Sequence, residues 1–244
     1  MEPQLVEVAS EDELPAALAE AGLTSHQPVL VVVGGASGLT GEAESLSRRV
    51  VREVTVPVAF DHGAVIVDGG TDSGIIRIVG RAHGGEQGRP PLVGVAVRRL
   101  VRTRDQSVPQ LADAAAAEPH HTHLVLVPGE RWGDESRWLS AVAACLAGDN
   151  RTATMVLNGG EITLSDVAYS VAAGRPVLAV AGTGRIAELL VAAAQHGSTE
   201  LADGSGWAAD AVAHAVGSGL LSILDPARPV EVQRQQLSRL LSPR

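Results

Sequence analysis

Lysine is absent from the 244 residues: all 19 basic residues are arginines, against 28 acidic ones, for a formal charge of −9. That absence excludes lysine-based catalysis and removes the Gly-x4-Gly-Lys-[Ser/Thr] phosphate loop outright. No run of arginines exceeds two, so there is no basic stripe for a nucleic-acid backbone, and nucleic acid is not an expected partner. The single cysteine, Cys145, rules out an internal disulfide and any Cys-cluster metal site. It falls in a predicted helix and reads as core. Aromatics are scarce: Trp132, Trp138, Trp207, Tyr169 and Phe60 are all there are. The core must therefore be built from Ala, Val, Leu and Ile, which suits a layered α/β fold. No apolar run reaches the roughly 18 residues of a membrane-spanning helix, and residues 1–13 are acidic rather than leader-like. A cytoplasmic protein with no membrane partner is expected.

What is present is a repeated unit: a short β-branched run, a glycine turn, then a helical stretch. Runs at 29–33, 64–67, 124–127, 154–157 and 177–180 end in Gly34-Gly35, Asp68-Gly69-Gly70, Pro128-Gly129, Asn158-Gly159-Gly160 and Ala181-Gly182. A sixth run, 92–97, lacks the glycine pair. Runs without polar alternation are strands buried on both faces, so the prediction is a Rossmann-like, doubly wound, mainly parallel sheet with helices on both faces. Helices are predicted at 41–54, 72–81, 134–147, 162–173 and 185–195. Segments 81–91 and 101–119 read as surface loops, the second with an Ala-rich helical turn. The expected organisation is a peripheral N-terminal element over 1–28 with Pro15 near a helix start, a core over 29–197, and C-terminal helices within 198–244. Those helices are placed at 207–216 and 229–240, after a polar connection at 198–205.

Right-handed crossovers bring all the glycine turns to one sheet edge. There, backbone N–H groups at helix N-termini can meet phosphate oxygens. The turn after residue 33, Gly35-x-x-Gly38-x-x-Gly41, is not Gly-x-Gly-x-x-Gly, and Asp68 lies too far along for the ribose-binding acid of the dinucleotide fingerprint, which disfavours a nicotinamide dehydrogenase. In Asp68-Gly69-Gly70-Thr71-Asp72-Ser73-Gly74 the hydroxyls can cap the next helix, contact a ligand, or both. In Asn158-Gly159-Gly160-Glu161-Ile162-Thr163-Leu164-Ser165-Asp166, Thr163 can face the turn, and Asp166 is either a solvated helix acid or a ligand-contacting one.

Together, Val33-Gly34-Gly35-Ala36-Ser37-Gly38, Val67-Asp68-Gly69-Gly70-Thr71-Asp72-Ser73-Gly74, His121-Thr122-His123, Trp132-Gly133-Asp134-Glu135-Ser136 and Asn158-Gly159-Gly160-Glu161 resemble the SLOG superfamily, in its prokaryotic TRPM-like branch (LSDAT), over about residues 29–196. The resemblance implies a Rossmann-like sheet that binds nucleotides or NAD-derived ligands such as ADP-ribose, and association of two copies as a homodimer. The superfamily also holds lonely-guy phosphoribohydrolases, with the signature Pro-Gly-Gly-x-Gly-Thr-x-x-Glu. Laid on it, Gly159, Gly160 and Thr163 match, Asp166 replaces the catalytic Glu, Asn158 replaces Pro and Ile162 replaces the third Gly. The shorter carboxylate and the β-branched residue in the phosphate turn weigh against N-glycosidic cleavage.

His120, His121 and His123 lack a further ligand at metal-site spacing, so His121 reads as structural or ligand-contacting rather than as a metal ligand. Trp132 can stack on a base or cover the core. Arg185, after Gly182-Thr183-Gly184, is a phosphate fork or a surface arginine. Ser37 and Ser73 have neither a Ser-x-x-Lys partner nor a Gly-x-Ser-x-Gly elbow, which argues against a serine hydrolase.

The expected function is binding or sensing of a nucleotide-derived ligand with no required cofactor and no metal. The cradle comprises Gly34, Gly35, Ala36, Ser37, Gly69, Gly70, Thr71, Asp72, Ser73, Gly74, His121, Trp132, Gly159, Gly160, Glu161, Thr163, Gly182, Thr183, Gly184 and Arg185. The alternative is a nucleotide N-glycosidase with Asp166 or Glu161 as acid/base, and a weaker one is a glycine edge that serves protein contacts alone.

Overall fold

The structure is a computed structural model and describes residues 3–36, 38, 39, 41–84, 88–103, 111–196 and 206–242. Ser37 and the predicted connection 198–205 lie outside them. In chain order the elements are β1 (Gln4–Glu7), α1 (Leu14–Glu20), β2 (Val29–Gly34), α2 (Gly41–Val50), α3 (Val56–Asp61), β3 (Val65–Asp68), α4 (Gly74–His83), β4 (Leu92–Val97), β5 (Val101–Arg102), β6 (Ala115–Ala116), β7 (His123–Val127), α5 (Ser136–Ala147), β8 (Thr152–Leu157), α6 (Glu161–Ala172), β9 (Val177–Val180), α7 (Arg185–His196), α8 (Gly206–Gly217), β10 (Leu221–Leu224) and α9 (Val230–Leu241).

Eight strands form one sheet in the order β1-β7-β4-β3-β2-β8-β9-β10, and every pairing is parallel. The doubly wound α/β prediction holds. Alternate residues of the central strands enter two separate cores, and a third, smaller cluster of Ala96, Val101, Leu124 and Leu126 lies on the other face of β7. Val29, Val31, Val33, Val65, Val67, Val93, Val95, Val125 and Val127 pack with α1 and α5 to α8. Leu30, Val32, Ile66, Leu92, Met155, Leu157, Leu178 and Val180 pack with α2, α3, α4 and α9. Burying each such side chain contributes about 1.5–3 kcal/mol, which is why strands with no polar alternation are stable only between two helical layers.

The fold departs from the sequence reading in four places. The N-terminal segment is not peripheral throughout, because β1 extends the sheet beside β7, while Pro15 does open α1. Between the two C-terminal helices β10 closes the other sheet edge. Both edge strands have four residues and only partly buried patterns, Gln-Leu-Val-Glu and Leu-Ser-Ile-Leu, so neither carries a long apolar run. The predicted helix 41–54 continues to Asp61 through a π-helical turn at Val51–Thr55, just ahead of Pro57, whose missing N–H the wider turn accommodates. The alanines at 115–116 are extended rather than helical: β6 pairs with β5, and Thr71 bridges Ala117, so strand pairing overrides alanine's helix propensity.

From β2 the chain winds outward through β3, β4 and β7, then returns to place β8 on the other flank of β2. The topological switch point is therefore between β2 and β8, and the crevice outside their carboxyl ends is where open α/β sheets bind ligands. Among the described residues no helix is long and apolar enough to cross a membrane.

Candidate functional site

Two glycine turns and a third loop meet at the switch point. Gly35, after β2, has no room for a side chain: a Cβ there would lie 2.4 Å from Asn158 Oδ1. Asn158 follows β8 with a left-handed φ of 58°, a conformation that asparagine tolerates better than most residues. Its backbone N–H donates to Thr183 Oγ1 at 3.0 Å and its Nδ2 donates to Thr183 O at 2.7 Å. Thr183 Oγ1 donates in turn to Val180 O at 2.8 Å. Asn158 thus fastens the Gly182-Thr183-Gly184 turn to the head of α6. Its Oδ1 is buried and has no hydrogen-bond partner among the described residues.

The first intrahelical bond of α6 runs from Leu164 N–H to Gly160 O at 3.1 Å, so the N–H groups of Glu161, Ile162 and Thr163 point out of the helix end. Thr163 faces the turn as expected, accepting the Gly160 N–H at 3.3 Å. Arg185 is exposed and reaches across the mouth of the crevice: a Cβ on Gly160 would lie 3.1 Å from its Nη2, and one on Gly38 would lie 3.5 Å from its Nη1. A helix N-terminus beneath a guanidinium is an arrangement suited to an anion.

The turn after β3 is built differently. Gly74 gives up its side chain to the backbone, since a Cβ there would lie 1.8 Å from Gly35 O, and that carbonyl instead accepts the Ile75 N–H at 3.0 Å. The head of α4 is therefore filled by the neighbouring turn. Gly70 abuts Gly94 and Leu124. Thr71 contacts Ser73 Oγ at 3.0 Å, and Asp72 pairs with Arg77 at 2.7 Å. Gly69 borders this turn, and Gly34 and Ala36 flank Gly35.

His121 is not in the crevice. It is fully buried, with Nε2 2.7 Å from Asp68 Oδ1 and Nδ1 3.0 Å from Glu118 Oε2. Glu118 also takes His120 Nδ1 at 2.6 Å, and its carboxylate occupies the space a side chain at Gly80 would need. Burial alone would lower the His121 pKa, but the two carboxylates outweigh it and raise it to about 9. Burial would raise the Glu118 carboxyl, yet its hydrogen bonds to His121 and His120 hold it below the ordinary carboxylate range. This imidazolium between two carboxylates is a clasp that ties the end of β3 to the segment before β7. No group of three or more His, Cys, Asp or Glu among the described residues is arranged to hold a metal ion.

A second buried acidic group lies between α5 and α6. Asp166 is 8% exposed, and burial raises its carboxyl to about 7, with the neighbouring Glu135 charge adding to the rise and the Ser136 hydroxyl opposing it. Burial also raises Glu135, against its own N–H and that of Gly133. Trp132 is half-buried and packs against the core, and Gly133 beside it faces Ile162 of α6.

Residues 27–231 match the family model described as SLOG in TRPM, prokaryote. The chain belongs to this LSDAT family. No curated protein matches the chain. In this LSDAT chain the Asn158-Gly159-Gly160 turn leads to Thr163, and Asn158 carries the bonds to Thr183 that join two turns. Asp68, Glu118 and Glu135 form buried polar groups that lie outside the cradle expected from the sequence. Only the positive-φ preference of an Asn before Gly-Gly could have singled out Asn158; nothing local marks the carboxylates, whose partners lie up to 53 positions away.

Proposed function

We propose that this chain binds a phosphate-bearing, nucleotide-derived ligand of the adenine nucleotide, NAD or ADP-ribose class in the β2/β8 crevice, as a cytoplasmic sensor or carrier. Membership of the SLOG family supports a nucleotide-related role. The observation that carries the reading is the convergence of the α6 N-terminus, Arg185, and the turns of Gly35, Asn158-Gly159-Gly160 and Gly182-Thr183-Gly184 at one crevice. Phosphate oxygens would take the outward N–H groups of Glu161 to Thr163 and the guanidinium of Arg185. The test is incubation of the protein with AMP, ADP-ribose, NAD and cyclic ADP-ribose, followed by chromatography of bound and free fractions. One nucleotide retained intact, with affinity reduced at least tenfold in Arg185→Ala, is the expected result; no retention of any of the four refutes the reading.

A second reading, a nucleotide N-glycosidase, is favoured by one observation: a carboxyl at Asp166 held near neutrality suits proton transfer. Asp166→Asn separates the two. A sensor keeps its ligand, whereas an enzyme keeps binding but stops releasing free base.

A further inference from the structure

We propose that Asn158 Oδ1 is the specificity-determining acceptor of the β2/β8 crevice and takes a ribose hydroxyl of the ligand, so that the site selects ribonucleotides over deoxyribonucleotides. This rests on the binding reading above. Asn158 is 3% exposed, and its Oδ1 is buried with no hydrogen-bond partner among the described residues. A buried carbonyl oxygen left unpaired is costly, so the position calls for a donor. The amide cannot meet that demand by turning over. Its Nδ2 donates to Thr183 O at 2.7 Å, and a half rotation would set the amide oxygen against that carbonyl. The backbone N–H, bonded to Thr183 Oγ1 at 3.0 Å, holds the residue from its other side. The bonds that join the two turns therefore also fix where the acceptor points.

The neighbours decide which donor fits. A Cβ on Gly35 would stand 2.4 Å from Oδ1 and 3.3 Å from the Gly159 nitrogen, whose N–H also has no hydrogen-bond partner among the described residues. An acceptor and a donor thus lie close together, and Gly35, facing them from the end of β2, has no side chain with which to pair either. Gly35 does not have a left-handed φ, so its backbone conformation is not what demands glycine there. A hydroxyl matches the pair, since it donates one O–H and accepts on its lone pairs, whereas an ionised phosphate oxygen only accepts. Asn158 and Gly159 immediately precede the open head of α6, which begins at Glu161. With a 5′-phosphate on that helix head, the sugar is the next part of the ligand and the base lies beyond it, so a ribose hydroxyl is the donor that reaches Asn158.

The experiment is calorimetric titration of AMP, 2′-deoxy-AMP and 3′-deoxy-AMP into the wild-type protein and Asn158→Gly, glycine being the residue that accepts the φ of 58° without strain. In the wild type at least one deoxynucleotide is expected to bind about tenfold or more weakly than AMP, and in Asn158→Gly that ratio is expected to fall to about one. Wild-type affinities within about twofold for all three nucleotides overturn the proposal and leave the phosphate site standing, as does a ratio that persists in folded Asn158→Gly. AMP left unbound while ADP-ribose is retained overturns it too. Should Asn158→Gly fail to fold, the wild type decides by NMR: the Asn158 side-chain NH2 resonances are expected to move on saturation with AMP and not with the weaker deoxynucleotide, and equal movement with both refutes the assignment. If none of AMP, ADP-ribose and NAD is retained by the wild type, the underlying reading fails and this inference falls with it.

Discussion

The clasp at His121 makes the stability of this protein depend on pH in a specific window. The imidazole titrates at 6.5 in the unfolded chain and at about 9 in the folded one. A folded-state pKa raised in this way contributes stability that is fully present below pH 6.5 and is lost as the pH climbs through 9. At 1.36 kcal/mol per unit, the loss is about 3 kcal/mol, most of it between pH 7 and 9. Most of the shift-bearing groups contribute chiefly outside that interval. Glu118, held low, loses its contribution on the acid side; His83 and His123, both lowered chiefly by burial, act below their ordinary pKa; Asp166 is half titrated at about 7 and has only the last few tenths of a kcal/mol of its effect left above it; and Cys145, raised by burial, responds mainly above 9. Urea unfolding at several pH values from 6.5 to 9.5 reads the effect directly, as a fall of about 1 M in the midpoint for an m-value of roughly 3 kcal/mol/M. A midpoint that stays constant between pH 7 and 9, or a His121 ring that titrates near 6.5 by NMR, would refute the reasoning. His121→Ala should be worse than alkaline pH, because it leaves Asp68 and Glu118 buried without their cation, at a cost of about 3–5 kcal/mol.

Three further outcomes are expected. Asp166→Asn should stabilise the fold above pH 7, by up to about 4 kcal/mol, because the wild-type carboxyl resists ionising in the folded state; equal stability of the two proteins at pH 8 counts against the buried acid. Gly74→Ala should abolish soluble expression, since φ is 44° and the new Cβ would lie 1.8 Å from Gly35 O; a variant with wild-type melting would disprove the close approach. Arg175 is 1% exposed, and its guanidinium bonds to Ser140 and Ser170 rather than to a carboxylate, so Arg175→Met should unfold at the same temperature or higher, as a thermal melt would report.

The central strands were legible in the sequence because burial on both faces demands uninterrupted Val, Leu and Ile, as in 29–33 and 177–180, and because all of these runs but 92–97 lead into a glycine turn. The edge strands β1 and β10 were not, since a strand with one covered face and four residues carries too little pattern. Ala115 and Ala116 were misread for the complementary reason: alanine's local preference is helical, and the hydrogen bonds that hold it extended come from Leu100 and from the paired strand. The cradle was legible only in outline. Gly34-Gly35 and Asn158-Gly159-Gly160 announce turns, but that they share one crevice, while Gly69-Gly70 with Gly74 belongs to a backbone approach, depends on strand order.

The sequence by itself determined the layered α/β class, the absence of lysine chemistry and disulfides, and the glycine turns at strand ends, because these follow from composition and from the period of the apolar pattern. Tertiary structure alone decided that β2 and β8 are neighbours, that His121 is an imidazolium locked between Asp68 and Glu118, and that Glu135 meets Asp166. Each of those depends on groups remote in sequence being brought within a few ångströms, where burial and charge set their chemistry.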